Sequence, residues 1–162
     1  MDPAAKIASY STLLLAAKPE KSEGVFSRTA DRFEDDLLEF DEFPPEYFAF
    51  ALALLSDERF YSRPGLWNFL LVLGTERQKL SDTHCRTLAQ VITDNYPSYE
   101  NEDLCLGVCD FIARNYEAKW ALELLNRLKQ LEATKPVKLR GFADEGLAIL
   151  DREVARSLKS QH

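Results

Sequence analysis

The seven prolines of this chain fall at the borders of its periodic segments, and glycine is scarce. That punctuation constrains the fold more than any motif. Between the prolines, apolar residues recur at three- and four-residue steps, the spacing of amphipathic helices. Nowhere do apolar and polar residues alternate long enough to mark a half-buried strand. The spacing predicts helices over 3–17, 24–41, 45–56, 64–75, 82–95, 101–115, 117–133 and 141–158. The stops have physical causes. Pro19 follows the first helix, and Pro44-Pro45 separates the second from the third, with Pro45 suited to a first helical turn. Ser62-Arg63-Pro64-Gly65 opens the fourth helix, and Gly74 sits near its end. Ser81-Asp82 offers an N-cap to the fifth and Pro97 ends it; Asn101 can cap the sixth, with Glu102 and Asp103 well placed against the helix dipole. Pro136 and Gly141 bracket the last linker. The fold class is all-α.

These helices also pair. Residues 47–55 with 66–73, 84–92 with 104–112, and 120–131 with 142–150 make three hairpins, with corresponding points about 35–40 residues apart, a helix-pair repeat spacing. Such a pair cannot bury its inner face alone, so stacking on neighbours completes the core. In the last unit, Lys135-Pro136-Val137-Lys138-Leu139-Arg140 precedes Phe142, Ala143, Leu147, Ala148 and Leu150. This resembles a HEAT-type repeat, in which a proline and a basic residue precede an Ala- and Leu-rich inner face. The resemblance implies a short right-handed α-solenoid over residues 45–158; an irregular helical bundle is the alternative architecture. At 162 residues, one domain spanning 1–162 is expected.

The formal charge is −7, and it is unevenly spread: residues 1–113 carry twenty acids and ten bases, residues 114–162 seven acids and ten bases. An acidic excess argues against general affinity for nucleic acid or anionic membrane and favours a basic partner. Three cysteines, Cys85, Cys105 and Cys109, form no disulfide framework, and no signal-peptide core or run of membrane-spanning length is present, so a cytoplasmic location is expected. Exposed apolar end-repeats would favour a dimer.

The acidity peaks between Asp31 and Glu46, where eight carboxylates face one cation, Arg32. Phe26, Ala30, Phe33, Leu37 and Phe40 form an apolar helical face, opposite Asp31, Asp35 and Glu39 at four-residue steps. Like charges at that spacing cost an isolated helix a few tenths of a kcal/mol per pair, roughly. Asp31, Asp35, Asp36, Glu39, Asp41 and Glu42 are therefore the candidate partner-binding acids. Phe43, Tyr47 and Tyr61, near helix ends beside acids, and Tyr99 in a second acidic and aromatic turn, are the candidate aromatic anchors. That second turn, Tyr96–Asp103, is expected along the same edge as Ser56-Asp57-Glu58.

Catalytic signatures are absent: the sequence holds no HExxH, P-loop, GxGxxG or GxSxG, and only two histidines, His84 and His162. Cys105 and Cys109 lie four apart on one predicted helix, with His84-Cys85 on the preceding one. Adjacent His and Cys diverge by about 100° on a helix, so both rarely reach one ion. The thiols are expected in the core. No catalytic residue, metal or cofactor is expected. A small, acidic, helical-repeat chain without catalytic residues resembles, as a class, the immunity proteins of bacterial toxin systems, which implies neutralisation of a basic effector domain. A HEAT-like adaptor binding a protein or peptide on its concave face is the alternative. Base-excision chemistry on DNA is a third class, and it would have to use Lys129, Lys135, Lys138 and Arg140.

Overall fold

The computed structural model describes residues 2–18 and 22–160. Pro19, to which the sequence assigns the first stop, and His162 lie outside the described residues. Those described form eight α-helices and no strand: α1 (Pro3–Ala16), α2 (Ser22–Leu37), α3 (Pro45–Leu55), α4 (Trp67–Thr75), α5 (Asp82–Asn95), α6 (Glu102–Asn115), α7 (Ala118–Glu132) and α8 (Phe142–Ser160). Short 3-10 turns at Glu58–Phe60, Pro64–Leu66, Arg77–Lys79, Tyr96–Ser98 and Val137–Leu139 make the connections.

Helix starts follow the local chemistry. The Asp2 carboxylate accepts the Ala5 N–H at 3.0 Å, with Pro3 in the first turn. Ser81 and His84 form a reciprocal capping box: Ser81 Oγ accepts the His84 N–H, and His84 Nδ1 accepts the Ser81 N–H, both at 3.1 Å. Asn101 Oδ1 accepts the Leu104 N–H at 3.1 Å. Two boundaries depart from the predicted spans by three residues or more. Pro64–Leu66 forms a 3-10 turn before α4 begins at Trp67. Helix α2 ends at Leu37, not 41, because its last carbonyl is taken by Lys79 Nζ at 2.6 Å and residues 38–40 tighten into three-residue turns.

Alternate helices pack in series. On one side α2 packs on α4, α4 on α6 and α6 on α8; on the other α1 packs on α3, α3 on α5 and α5 on α7. Helices α6, α7 and α8 meet closely at Gly146, where a Cβ would stand 2.8 Å from Leu125 Cδ2 and 3.1 Å from Cys109 Cβ, so a larger residue would force its neighbours to shift. Gly141, at φ +97°, makes the turn into α8.

One apolar cluster runs from Tyr10 to Leu150. Its N-terminal half is aromatic, with Phe33 packed on Tyr47 at 5.2 Å, Phe69 at 5.6 Å and Phe50 at 5.8 Å. Its C-terminal half is mostly aliphatic but encloses Glu132 and Lys135. Connections are also tied to one another. The Glu100 N–H donates to the Tyr61 carbonyl at 2.9 Å, and Lys135 Nζ donates to the Tyr99 carbonyl at 3.2 Å. No helix among the described residues is long and apolar enough to cross a membrane.

Candidate functional site

The end of α2, the turn after it and the start of α3 form an acidic edge. Asp31 and Asp35 on α2, Glu39, Asp41 and Glu42 in the turn, and Glu46 in the first turn of α3 are all exposed, and none is in an ion pair among the described residues. Glu34 is half-buried beside them. Partial burial pushes its carboxyl above the ordinary range, and the neighbouring charges of Glu76, Asp31 and Asp35 push it further the same way. The smaller, electrostatic part of that shift reflects the negative charge gathered along the edge. Leu38 projects from the turn with two thirds of its surface exposed (67%). Sequence periodicity concealed it, because Leu37 continues the buried face and Leu38 follows where the helix has already ended.

Asp36 turns the other way. Its carboxylate accepts Lys6 Nζ at 3.0 Å, the Tyr47 hydroxyl at 2.9 Å and the Tyr10 hydroxyl. Desolvation raises this carboxyl, but the two hydroxyls and the ammonium outweigh it and hold the group below its ordinary range. Asp36 thus joins α1, α2 and α3 and is not free to meet a partner. The adjacent position explains the difference, since side chains one residue apart on a helix diverge by about 100°. Lys6 and Tyr10 escaped sequence reasoning. Their only signal was a base and a phenol four residues apart on α1, which share a face.

Three of the four candidate aromatics are also inside. Tyr47 is 1% exposed, packed under α2 against Phe33 and Phe40. Phe43 is buried between Phe33 and Phe48, its N–H donating to the Lys79 carbonyl at 3.2 Å. Tyr99 is buried, and its hydroxyl donates to the Leu55 carbonyl at 2.7 Å, closing the end of α3. Tyr61 is partly exposed, with its hydroxyl donating to Asn95 Oδ1 at 2.5 Å. Placement beside acids near helix ends suggested surface anchors; long-range partners for ring and hydroxyl drew these side chains inward instead.

The second acidic turn divides likewise: Tyr96 and Tyr99 are buried, and Glu100, Glu102 and Asp103 are exposed. The turn lies beside the 58–62 connection, and the two join the 134–139 connection around an open groove of about 970 Å³.

Behind that groove sits a buried polar cluster. Glu132 accepts the Tyr96 hydroxyl and the Ala143 N–H (3.0 Å) on Oε1 and the Gly141 N–H (3.1 Å) on Oε2, so it caps α8 from within the core. Burial, then the neighbouring Cys109 and the bond to Glu132, push the Tyr96 phenol far up and keep it a proton donor. Lys135, one of the bases a DNA-binding reading would need, is buried here; Lys129 is paired with Asp144 at 2.9 Å and Arg140 Nε donates to the Lys135 carbonyl at 2.6 Å.

All three cysteines are buried and unpaired. His84 caps α5 and stacks on Phe48 at 4.4 Å. Among the described residues no group of three His, Cys, Asp or Glu side chains is placed to hold a metal ion. No family model, curated protein or solved structure matches the chain.

Proposed function

We propose that this chain is a non-enzymatic binding protein that captures a basic protein on its acidic edge, and that the partner is a toxin or effector domain which it neutralises in the manner of immunity proteins. The observation that carries this reading is the set of six exposed carboxylates around the projecting Leu38, none of them in an ion pair among the described residues. Long-range attraction from Asp31, Asp35, Glu39, Asp41, Glu42 and Glu46 speeds encounter, and Leu38 supplies apolar contact once the surfaces meet. The serial packing of alternate helices supports a short right-handed solenoid of HEAT-like pairs as the scaffold, with the acidic edge near its N-terminal end. The unpaired thiols are in keeping with work in a reducing cytoplasm.

The test is affinity capture from cells of the source organism with the native chain and with Asp35→Lys combined with Glu39→Lys, both folded. The native chain should retain a basic protein whose association slows steeply with salt while its dissociation changes little. The double reversal should slow association on the order of tenfold or more, and the native chain should suppress the captured protein's activity. Equal capture by the reversed chain would sink the acidic edge as the docking surface. Loss of capture on Leu71→Asp instead, on the exposed side of α4, would favour the adaptor reading.

A further inference from the structure

Lys135 is placed at a cost that the fold does not require. It is 3% exposed and belongs to no ion pair among the described residues, since the nearby carboxylate, Glu132, is fully engaged by Tyr96, Gly141 and Ala143. A buried ammonium without a carboxylate is expensive. Its Nζ contacts the Tyr99 carbonyl at 3.2 Å, the Tyr96 ring at 4.0 Å and, at 3.3 Å, the sulfur of Cys105. A thiol is a weak partner for such a group. A hydrocarbon at this position would fill the space and a carboxylate would neutralise the charge. The chain offers a cysteine instead.

The two side chains are held for contact from opposite sides. Cys105 lies in the first turns of α6, its sulfur also directed at the Tyr99 carbonyl at 3.8 Å, so amine and thiol share one acceptor. The Lys135 backbone is fixed by its N–H to the Glu132 carbonyl at 2.9 Å and by Arg140 Nε on its own carbonyl at 2.6 Å. Lys135 and Tyr99 line the open groove, and Cys105 lies directly behind them, itself fully buried, so a peroxide reaches its sulfur past the Lys135 side chain. Burial pushes the Cys105 thiol up, and the Lys135 charge opposes that. Cys109 instead meets the Tyr96 hydroxyl at 3.6 Å, and among the described residues no lysine is hydrogen-bonded to Cys85.

We propose that Cys105 and Lys135 form an oxidative modification site, in which a peroxide joins Cys105 Sγ to Lys135 Nζ through a single oxygen atom. In the first step the thiol attacks hydrogen peroxide: the O–O bond breaks, an S–O bond forms, sulfur gives up two electrons and one water leaves, giving the sulfenic acid of Cys105. In the second step the Lys135 ammonium first releases one proton to solvent, and a second peroxide then takes two electrons from the sulfenic acid and the free amine as the N–O bond forms. The sulfenic O–H and one N–H lose their protons, and the second peroxide departs as two waters. The product is S–O–N–H, one oxygen heavier and two hydrogens lighter than the thiol and amine together. The 3.3 Å separation favours the oxygen-bridged link, since a direct S–N bond needs the atoms to close much further. The link ties α6 to the connection before α8 behind the groove, and a dithiol reductant returns both side chains.

Peptide mapping of the folded native chain after hydrogen peroxide treatment tests this directly. Trypsin does not cut between Lys135 and Pro136, so the amine lies in peptide 130–138 and both Cys105 and Cys109 in peptide 87–114. The expected result is one cross-linked pair of these peptides, one oxygen heavier and two hydrogens lighter than their sum, with fragment ions placing the link on Cys105 and Lys135. Dithiothreitol should abolish it. Lys135→Arg should oxidise at Cys105 without any link. Oxidation of Cys105 to acids with Lys135 unmodified, a direct S–N link, a Cys105–Cys109 disulfide, or no reaction at Cys105 in the native chain would each overturn the proposal.

Discussion

Two carboxylates among the described residues accept tyrosine hydroxyls, and they sit in opposite settings. Asp36, at the N-terminal end, lies at the margin of an acidic surface, with its side chain 13% exposed and Lys6 beside it. Glu132, in the C-terminal half, is enclosed, with a phenol and two backbone N–H groups as partners and no cation in an ion pair with it. Asp36 is supported by a charge that water partly screens. Glu132 depends wholly on hydrogen bonds that water cannot replace. The same functional group therefore serves as a surface clasp in one region and as an internal helix cap in the other, and the two should fail by different amounts.

Glu132→Ala should show the larger effect. It orphans the Tyr96 hydroxyl and the N–H groups of Gly141 and Ala143, all deep in the protein, and leaves a cavity between α7 and α8. A loss of about 3–5 kcal/mol is expected, in the range for removing a buried charged hydrogen-bonding group. Urea denaturation measures it. A loss below about 1 kcal/mol would mean that water reaches these groups and that the enclosed setting is wrong.

Asp36→Asn should cost less, about 1–2 kcal/mol, because the amide keeps the shape and part of the hydrogen bonding while Lys6 can turn to solvent. Its pH signature is more specific. The folded carboxyl titrates below the unfolded value, near 3.9. As pH falls the unfolded chain takes up this proton first. The stabilisation from Asp36 is therefore complete above the unfolded value and is lost as pH falls through the folded one. Thermal melts of native and Asn chains from pH 7 downward should converge across that window. Parallel curves would show that Asp36 is not clasped in solution.

The contrast also marks where sequence is informative. Helix spans were legible because each depends on residues three or four apart, on caps such as Ser81 and Asn101, and on proline borders. The exposure of Asp31 and Asp35 followed from their place opposite Phe33 and Leu37, whereas Glu39 is exposed in the turn past the end of the helix. Asp36, Tyr47 and Tyr99 were misplaced because their partners (Lys6, Tyr10, the Leu55 carbonyl) come from other helices, and no local pattern encodes such meetings. Glu132 and Lys135 were hidden for the same reason. A glutamate and a lysine three residues apart ordinarily read as a solvated pair, and only the turn at Gly141 and the position of Tyr96 bring them inside. Leu38 shows the converse: a helix that stops early, under a lysine from 42 residues away, exposes a leucine that periodicity alone cannot flag.

The smallest effect tests the acidic edge itself. Glu34 is held above the ordinary carboxylate range first by partial burial and then by Glu76, Asp31 and Asp35, so its charge opposes folding at neutral pH. Neutralising it by Glu34→Gln should therefore stabilise the chain, unlike either substitution above, by a few tenths of a kcal/mol, roughly. The sign with pH is opposite to that of Asp36. The folded state keeps the Glu34 proton to higher pH than the unfolded state, so the native chain loses stability as pH rises through the window between the two values, and Gln removes that loss. Because the neighbouring charges act through a solvated surface, the gain should shrink at 1 M salt, where the screening length falls to about 3 Å. A salt-independent gain would assign the shift to burial alone and leave the edge without the concentrated potential on which partner capture depends.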